Sequence, residues 1–117
     1  MLAQLLRWKE ANGVPIKSFA YPYGGVSLPR KLQLQREFAS CRGIYSGINS
    51  GRIDLGLLAA EGLYDRTFDH EVFNRRLDTL EKVNGWLILY THDVAPVPSW
   101  IGCSPALLER AGYRRAE

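Results

Sequence analysis

The sequence predicts an α/β protein with parallel strands, and three observations predict it. First, one pattern is used twice: an amphipathic segment, an Asn-Gly stop, an apolar run and a polar tip. Leu2, Leu5, Leu6 and Trp8 lead to Asn12-Gly13, then to Phe19-Ala20-Tyr21 and the break Pro22-Tyr23-Gly24-Gly25. Downstream, Val72, Phe73, Leu77, Leu80 and Val83 lead to Asn84-Gly85, to Trp86-Leu87-Ile88-Leu89-Tyr90 and to Thr91-His92-Asp93. Second, the later apolar run lacks polar alternation, as strands covered on both faces do. Third, 117 residues, 46% hydrophobic and 23% charged, fit one ordinary globular domain and neither a disordered tail nor a fibrous repeat.

Taken in order, residues 2–11 approximate a helical face, and Asn12-Gly13 are residue types that close helices in a left-handed conformation. The second half of Val14 to Tyr21 reads as a strand. Ser27 is placed to cap a second helix with Pro29 in its first turn, where a missing N–H does no harm. Phe38 to Ile44 suggests a second strand, and Gly47 to Gly51 a loop. Asp69 caps the next helix, whose apolar residues fall mostly at spacings of three and four. Asn84-Gly85 would suit a hairpin, but the helical period before it favours helix-to-strand. Met1 opens directly into helical pattern and the chain stops after the helix-like Leu107-Leu108-Glu109-Arg110-Ala111-Gly112-Tyr113, so three or four strands read as about half of a closed barrel. Chemistry in parallel α/β folds gathers at the carboxyl ends of strands, which singles out Pro22-Tyr23-Gly24 and Thr91-His92-Asp93.

Fifteen basic and twelve acidic residues leave +3, too small and too evenly spread an excess to argue for a nucleic-acid partner. No apolar run approaches the roughly 20 residues of a membrane span. No basic region precedes an apolar core at Met1, so a signal peptide is not expected and the default compartment is the cytoplasm. Cys41 and Cys103 read as two free thiols packed as small apolar groups rather than a bridge, and neither has a second cysteine or a histidine at zinc-ligand spacing.

Ser18-Phe19-Ala20-Tyr21-Pro22-Tyr23-Gly24, Leu89-Tyr90-Thr91-His92-Asp93-Val94 and Pro98-Ser99-Trp100-Ile101-Gly102-Cys103-Ser104-Pro105-Ala106-Leu107-Leu108 together resemble the polysaccharide deacetylase family (NodB homology, carbohydrate esterase type). The resemblance spans nearly the whole chain and corresponds to the C-terminal half of that family's domain. It implies a partial distorted (β/α) barrel. It also implies a hydrolase that removes N-acetyl groups from sugar polymers, cleaving a carbon–nitrogen, non-peptide bond with zinc or a similar divalent metal. The metal lowers the pKa of its bound water and polarises the amide carbonyl, a backbone N–H holds the oxyanion, and an acid protonates the leaving amine.

On this resemblance His92 matches the late histidine that serves as acid, and Tyr23, after Pro22, the residue whose backbone N–H helps form the oxyanion site. Tyr21 and Pro22 belong to the same substrate loop, and Leu87 and Leu89 would shape the pocket for the acetyl methyl. Ala20 stands where many members carry an arginine that orients the catalytic base. The family's aspartate pair and two metal histidines lie before the first motif found here, and His70 and His92 are too few and too far apart to rebuild the site. No metal is therefore expected to bind this chain alone, and the isolated chain is expected to be inactive.

Several rival readings come from the residues themselves. Thr67-Phe68-Asp69-His70 looks like the family's early Thr-Phe-Asp-Asp motif with one change, but it runs into an amphipathic helix, which makes Asp69 an N-cap. His92 would otherwise be a buried histidine satisfied by Asp93 or a backbone carbonyl, and Asp93 either orients His92 or caps the following loop. Tyr21 and Tyr23 would otherwise be half-buried aromatics, Asp54 a solvated loop residue, and Arg75-Arg76 and Arg114-Arg115 solvated helix faces. The rival function is a non-catalytic carbohydrate-binding or partner-binding remnant, with Trp86, Trp100, Tyr21 and Tyr23 as sugar-stacking rings. Expected partners are an acetylated polysaccharide or oligosaccharide, and either a missing N-terminal half or a second copy meeting exposed strand edges.

Overall fold

A first helix, α1 (Leu2–Asn12), ends where Gly13 turns to φ +60°, a left-handed conformation that costs glycine little, and where the Asn12 amide donates back to the Trp8 carbonyl at 2.8 Å. The computed structural model describes residues 2–13 and 15–112, without the side chain of Leu2. These residues fall into two units, Met1–Gly43 with Asp54–Leu58, and Ile44–Ile53 with Ala59–Glu117.

In the first unit β1 (Ser18–Ala20) pairs in parallel with β2 (Ser40–Arg42), Phe19 opposite Cys41, and α2 (Leu28–Glu37) makes the crossover. Alternate residues of β2 face opposite edges. Ser40 donates to Lys17, and Arg42 accepts from Tyr21, on the β1 side. Cys41 donates to Leu55 and accepts from Leu58 on the other, both at 2.8 Å, so the turn at residues 54–57 and the single parallel bridge of Leu58 to Arg42 cover that edge. The core joins Tyr21, Leu34, Phe38 and Cys41, with the Phe19 ring stacked on Phe38 at 5.2 Å and edge-on to Tyr21 at 5.7 Å. Pro29 sits in the first turn of α2 as predicted. Ser27 occupies the cap position, but its side chain makes no capping bond, a departure from expectation.

In the second unit β3 (Glu61–Gly62) and β4 (Leu89–Tyr90) are parallel, with α3 (His70–Val83) between them. Asp69 caps α3, accepting from Glu71 at 2.9 Å and Val72 at 3.1 Å, and Asn84 closes it at φ +50°. Beyond β4, Val94 bridges Cys103 in parallel and the chain enters α4 (Pro105–Gly112). Leu63, Cys103 and Leu107 form the core here, with Phe68 and Ala111 against them. Cys41 and Cys103 are both free and fully buried.

Two expectations need correction. The predicted strand from Trp86 to Tyr90 is split: Leu89–Tyr90 pair in parallel, whereas Trp86 pairs antiparallel with Asn49 through bonds of 2.9 and 2.8 Å. Arg76 is not simply solvated, because its Nη1 meets Glu61 Oε1 at 2.7 Å. The β-structure among the described residues consists of short parallel pairs and isolated bridges in an α/β arrangement, with no closed barrel. The expectation for Arg114-Arg115 lies outside the described residues. No helix among the described residues is long and apolar enough to cross a membrane.

Candidate functional site

The two strand tips singled out by the sequence belong to different units. In the first unit β1 delivers Tyr21 inward. Its ring is buried and its hydroxyl donates to the Gly56 carbonyl at 2.8 Å. Burial, and then the neighbouring Cys41, pushes the Tyr21 hydroxyl up to about 12, and burial likewise raises the Cys41 thiol. Pro22 is exposed, and Tyr23 after it is fully exposed at φ +55°, a left-handed conformation unfavourable for a bulky residue. The turn is closed by Gly24 N–H to the Tyr21 carbonyl at 3.0 Å and Gly25 N–H to Pro22 at 3.1 Å. Neither tyrosine is half-buried: one is core and the other stands in solvent.

Asp54 is an exposed loop residue, as expected, and it is also a clamp. One oxygen pairs with Lys31 Nζ at 3.0 Å and the other accepts from Gly56 N–H at 2.9 Å, tying residues 54–56 to α2. The hydrogen bond from Lys31 is the main reason its carboxyl lies below the usual range.

The second tip follows β4. His92 is exposed rather than buried, its main-chain N–H donates to Ile101 at 3.2 Å, and its ring lies 6.3 Å from that of Tyr64. Tyr64 also stands edge-on to Tyr90 at 6.1 Å. Asp93 directs its carboxylate to the loop, accepting from Ser99 N–H at 2.9 Å and from the Ser99 hydroxyl. These bonds, the hydroxyl first, hold its carboxyl below the ordinary range. Of the two roles read for Asp93, loop fastening is the one observed. The Thr91 hydroxyl between these residues is buried and finds no hydrogen-bond partner among the described residues.

The chain after β3 meets the same loop. Arg66 lies 3.9 Å over the Trp100 ring while its Nε donates to the Trp100 carbonyl at 3.3 Å. Asp65 accepts from Ser104 N–H at 2.8 Å and donates its own N–H to Gly102 at 3.1 Å. Leu87 and Leu89 are half-buried. Leu89 lines a 200 Å³ cavity with Gly62, Leu63, Phe68, Val72 and Phe73, walled by the Glu61–Arg76 pair.

The second unit therefore brings together His92, Tyr64, Arg66 and Trp100 around the ends of β3 and β4, and it also holds Leu87 and Leu89. Tyr21, Pro22 and Tyr23 belong to the first unit. Sequence reasoning missed Tyr64, Arg66 and Ser99 as parts of this tip. Arg66 and Trp100 are 34 positions apart, so no local pattern joins them. Among the described residues no three His, Cys, Asp or Glu side chains converge to hold a metal ion. Comparison with models of protein families, with curated proteins and with solved structures gives no match to this chain.

Proposed function

We propose that this chain is a polysaccharide deacetylase-like hydrolase module, corresponding to the C-terminal half of a distorted (β/α) barrel, acting on N-acetylated sugar polymers. His92 would be the proton donor to the leaving amine. The observation that carries the reading is the placement of His92: exposed, directly beyond a parallel strand, with its backbone tied to Ile101 at 3.2 Å. A donor must reach the leaving nitrogen from solvent-accessible space, and a rigid strand end restricts where the imidazole can go. No step assigned to this chain runs through the metal.

Titration of the chain with a chito-oligosaccharide, followed by NMR of the imidazole signals, tests the assignment. Perturbation of the His92 ring is expected, and it should disappear in His92→Gln. No response at His92 overturns the proposal. An assay on the same sugar with added zinc is expected to show no turnover, and turnover dependent on His92 would show that the chain builds its own metal centre.

A further inference from the structure

We infer that Trp100 and Arg66 form a binding shelf for an acidic sugar, a pyranose ring carrying a carboxylate. Trp100 is 72% exposed, yet it is not loosely held. Ser99 before it is bound by Asp93, Gly102 after it donates to Ser99 at 3.0 Å, and its own carbonyl accepts from Arg66. These bonds hold the backbone of the turn, and Arg66 over one ring face restrains the indole, so less freedom remains to be lost on binding. The guanidinium covers one ring face at 3.9 Å, and the high exposure leaves the other open. The negatively polarised face of an indole suits the C–H face of a sugar ring.

The charge comes from Arg66. Its Nε is used on Trp100, and among the described residues it has no carboxylate partner and its terminal nitrogens make no hydrogen bond. With its Cζ over the ring and its Nε on the Trp100 carbonyl, the guanidinium keeps two terminal nitrogens for a ligand, and a guanidinium can bind a carboxylate in two parallel bonds. The neighbouring acids are engaged, Asp93 with Ser99 and Asp65 with the Ser104 N–H. The described part of this unit carries six Lys or Arg against eight Asp or Glu, so a phosphate polymer would meet an unfavourable field while a single carboxylate can be paired locally.

The inference goes beyond the hydrolysis proposed above and does not need His92, so failure of either leaves the other standing. The test is titration of the full chain with trigalacturonate, with chitotriose and with a short oligothymidylate, following the three indole N–H signals by NMR. Trigalacturonate is expected to shift the Trp100 signal and to bind at least about tenfold more tightly than chitotriose. Trp100→Ala should abolish binding, Trp100→Phe should retain most of it, and Arg66→Gln should erase the preference for the acidic sugar while the other signals stay in place. An unmoved Trp100 signal, equal affinity for both sugars, or tighter binding of the oligothymidylate overturns the inference.

Discussion

Asp93 holds Ser99 twice, through its main-chain N–H at 2.9 Å and through its hydroxyl, and so fixes the turn that carries Trp100. These bonds favour the ionised carboxylate and lower its pKa in the folded chain. Its contribution is therefore complete above the unfolded value of about 4 and is lost as pH falls through the lower folded value. The Trp100 indole signal is expected to broaden or shift on acidification below about pH 4. Asp93→Ala should give the loosened signal already at neutral pH, and an unchanged indole in that variant would show that the clamp does not hold the loop.

Gly102 lies against the other side of the same residue. A Cβ there would stand 2.7 Å from the Asp93 carbonyl oxygen, closer than side-chain carbons approach backbone, and would also strike the Asp93 carboxylate. The backbone cannot retreat freely, because the Asp93 carbonyl accepts from Cys103 N–H at 2.9 Å. Gly102→Ala is expected to lose about 1–3 kcal/mol in urea denaturation, the range of overpacking. A smaller loss would mean that the Val94–Cys103 bridge shifts to admit the methyl group.

Asn49 is the buried polar side chain that joins the pieces of the second unit. Its amide imitates a strand, accepting from Ala59 N–H at 2.9 Å and donating to the Ala59 carbonyl at 2.9 Å and to Trp86 at 3.2 Å. Asn49→Ala leaves the Ala59 groups unpaired and is expected to cost about 2–4 kcal/mol by urea denaturation. Asn49→Asp should be no better, since a carboxylate cannot donate to either carbonyl.

What the sequence makes legible is what neighbours decide. Asp69 and Asn84 delimit α3 because capping acts across two or three residues, and both work as read. The tip at His92 is visible because polar residues follow an apolar run. By contrast, β3 is a glutamate and a glycine, with no apolar signature. It is a strand because Glu61 donates to Ile88 at 2.9 Å and Leu63 to Tyr90 at 2.7 Å, partners far along the chain. The split of the Trp86–Tyr90 run depends on Asn49, 37 residues away, and the Trp100 shelf on Arg66. Tyr21 is half legible: an aromatic at a strand end signals burial, but not that Gly56 would receive its hydroxyl.

That hydroxyl gives an alkaline prediction. In the folded chain Tyr21 stays neutral to about 12, because burial, and then the neighbouring Cys41, penalises the phenolate, whereas an unfolded tyrosine ionises near 10. Between these values the unfolded state binds fewer protons than the folded one, so stability is full below pH 10 and falls as pH rises toward 12. The decline attributable to this residue is about 2–3 kcal/mol over that interval. Tyr21→Phe removes the ionisation and also leaves the buried Gly56 carbonyl without its donor, at about 1–2 kcal/mol near neutrality. The two stability curves, measured by urea denaturation from pH 7 to 12, should therefore converge in the alkaline range. Curves that stay parallel would place the Tyr21 hydroxyl in contact with water rather than on Gly56.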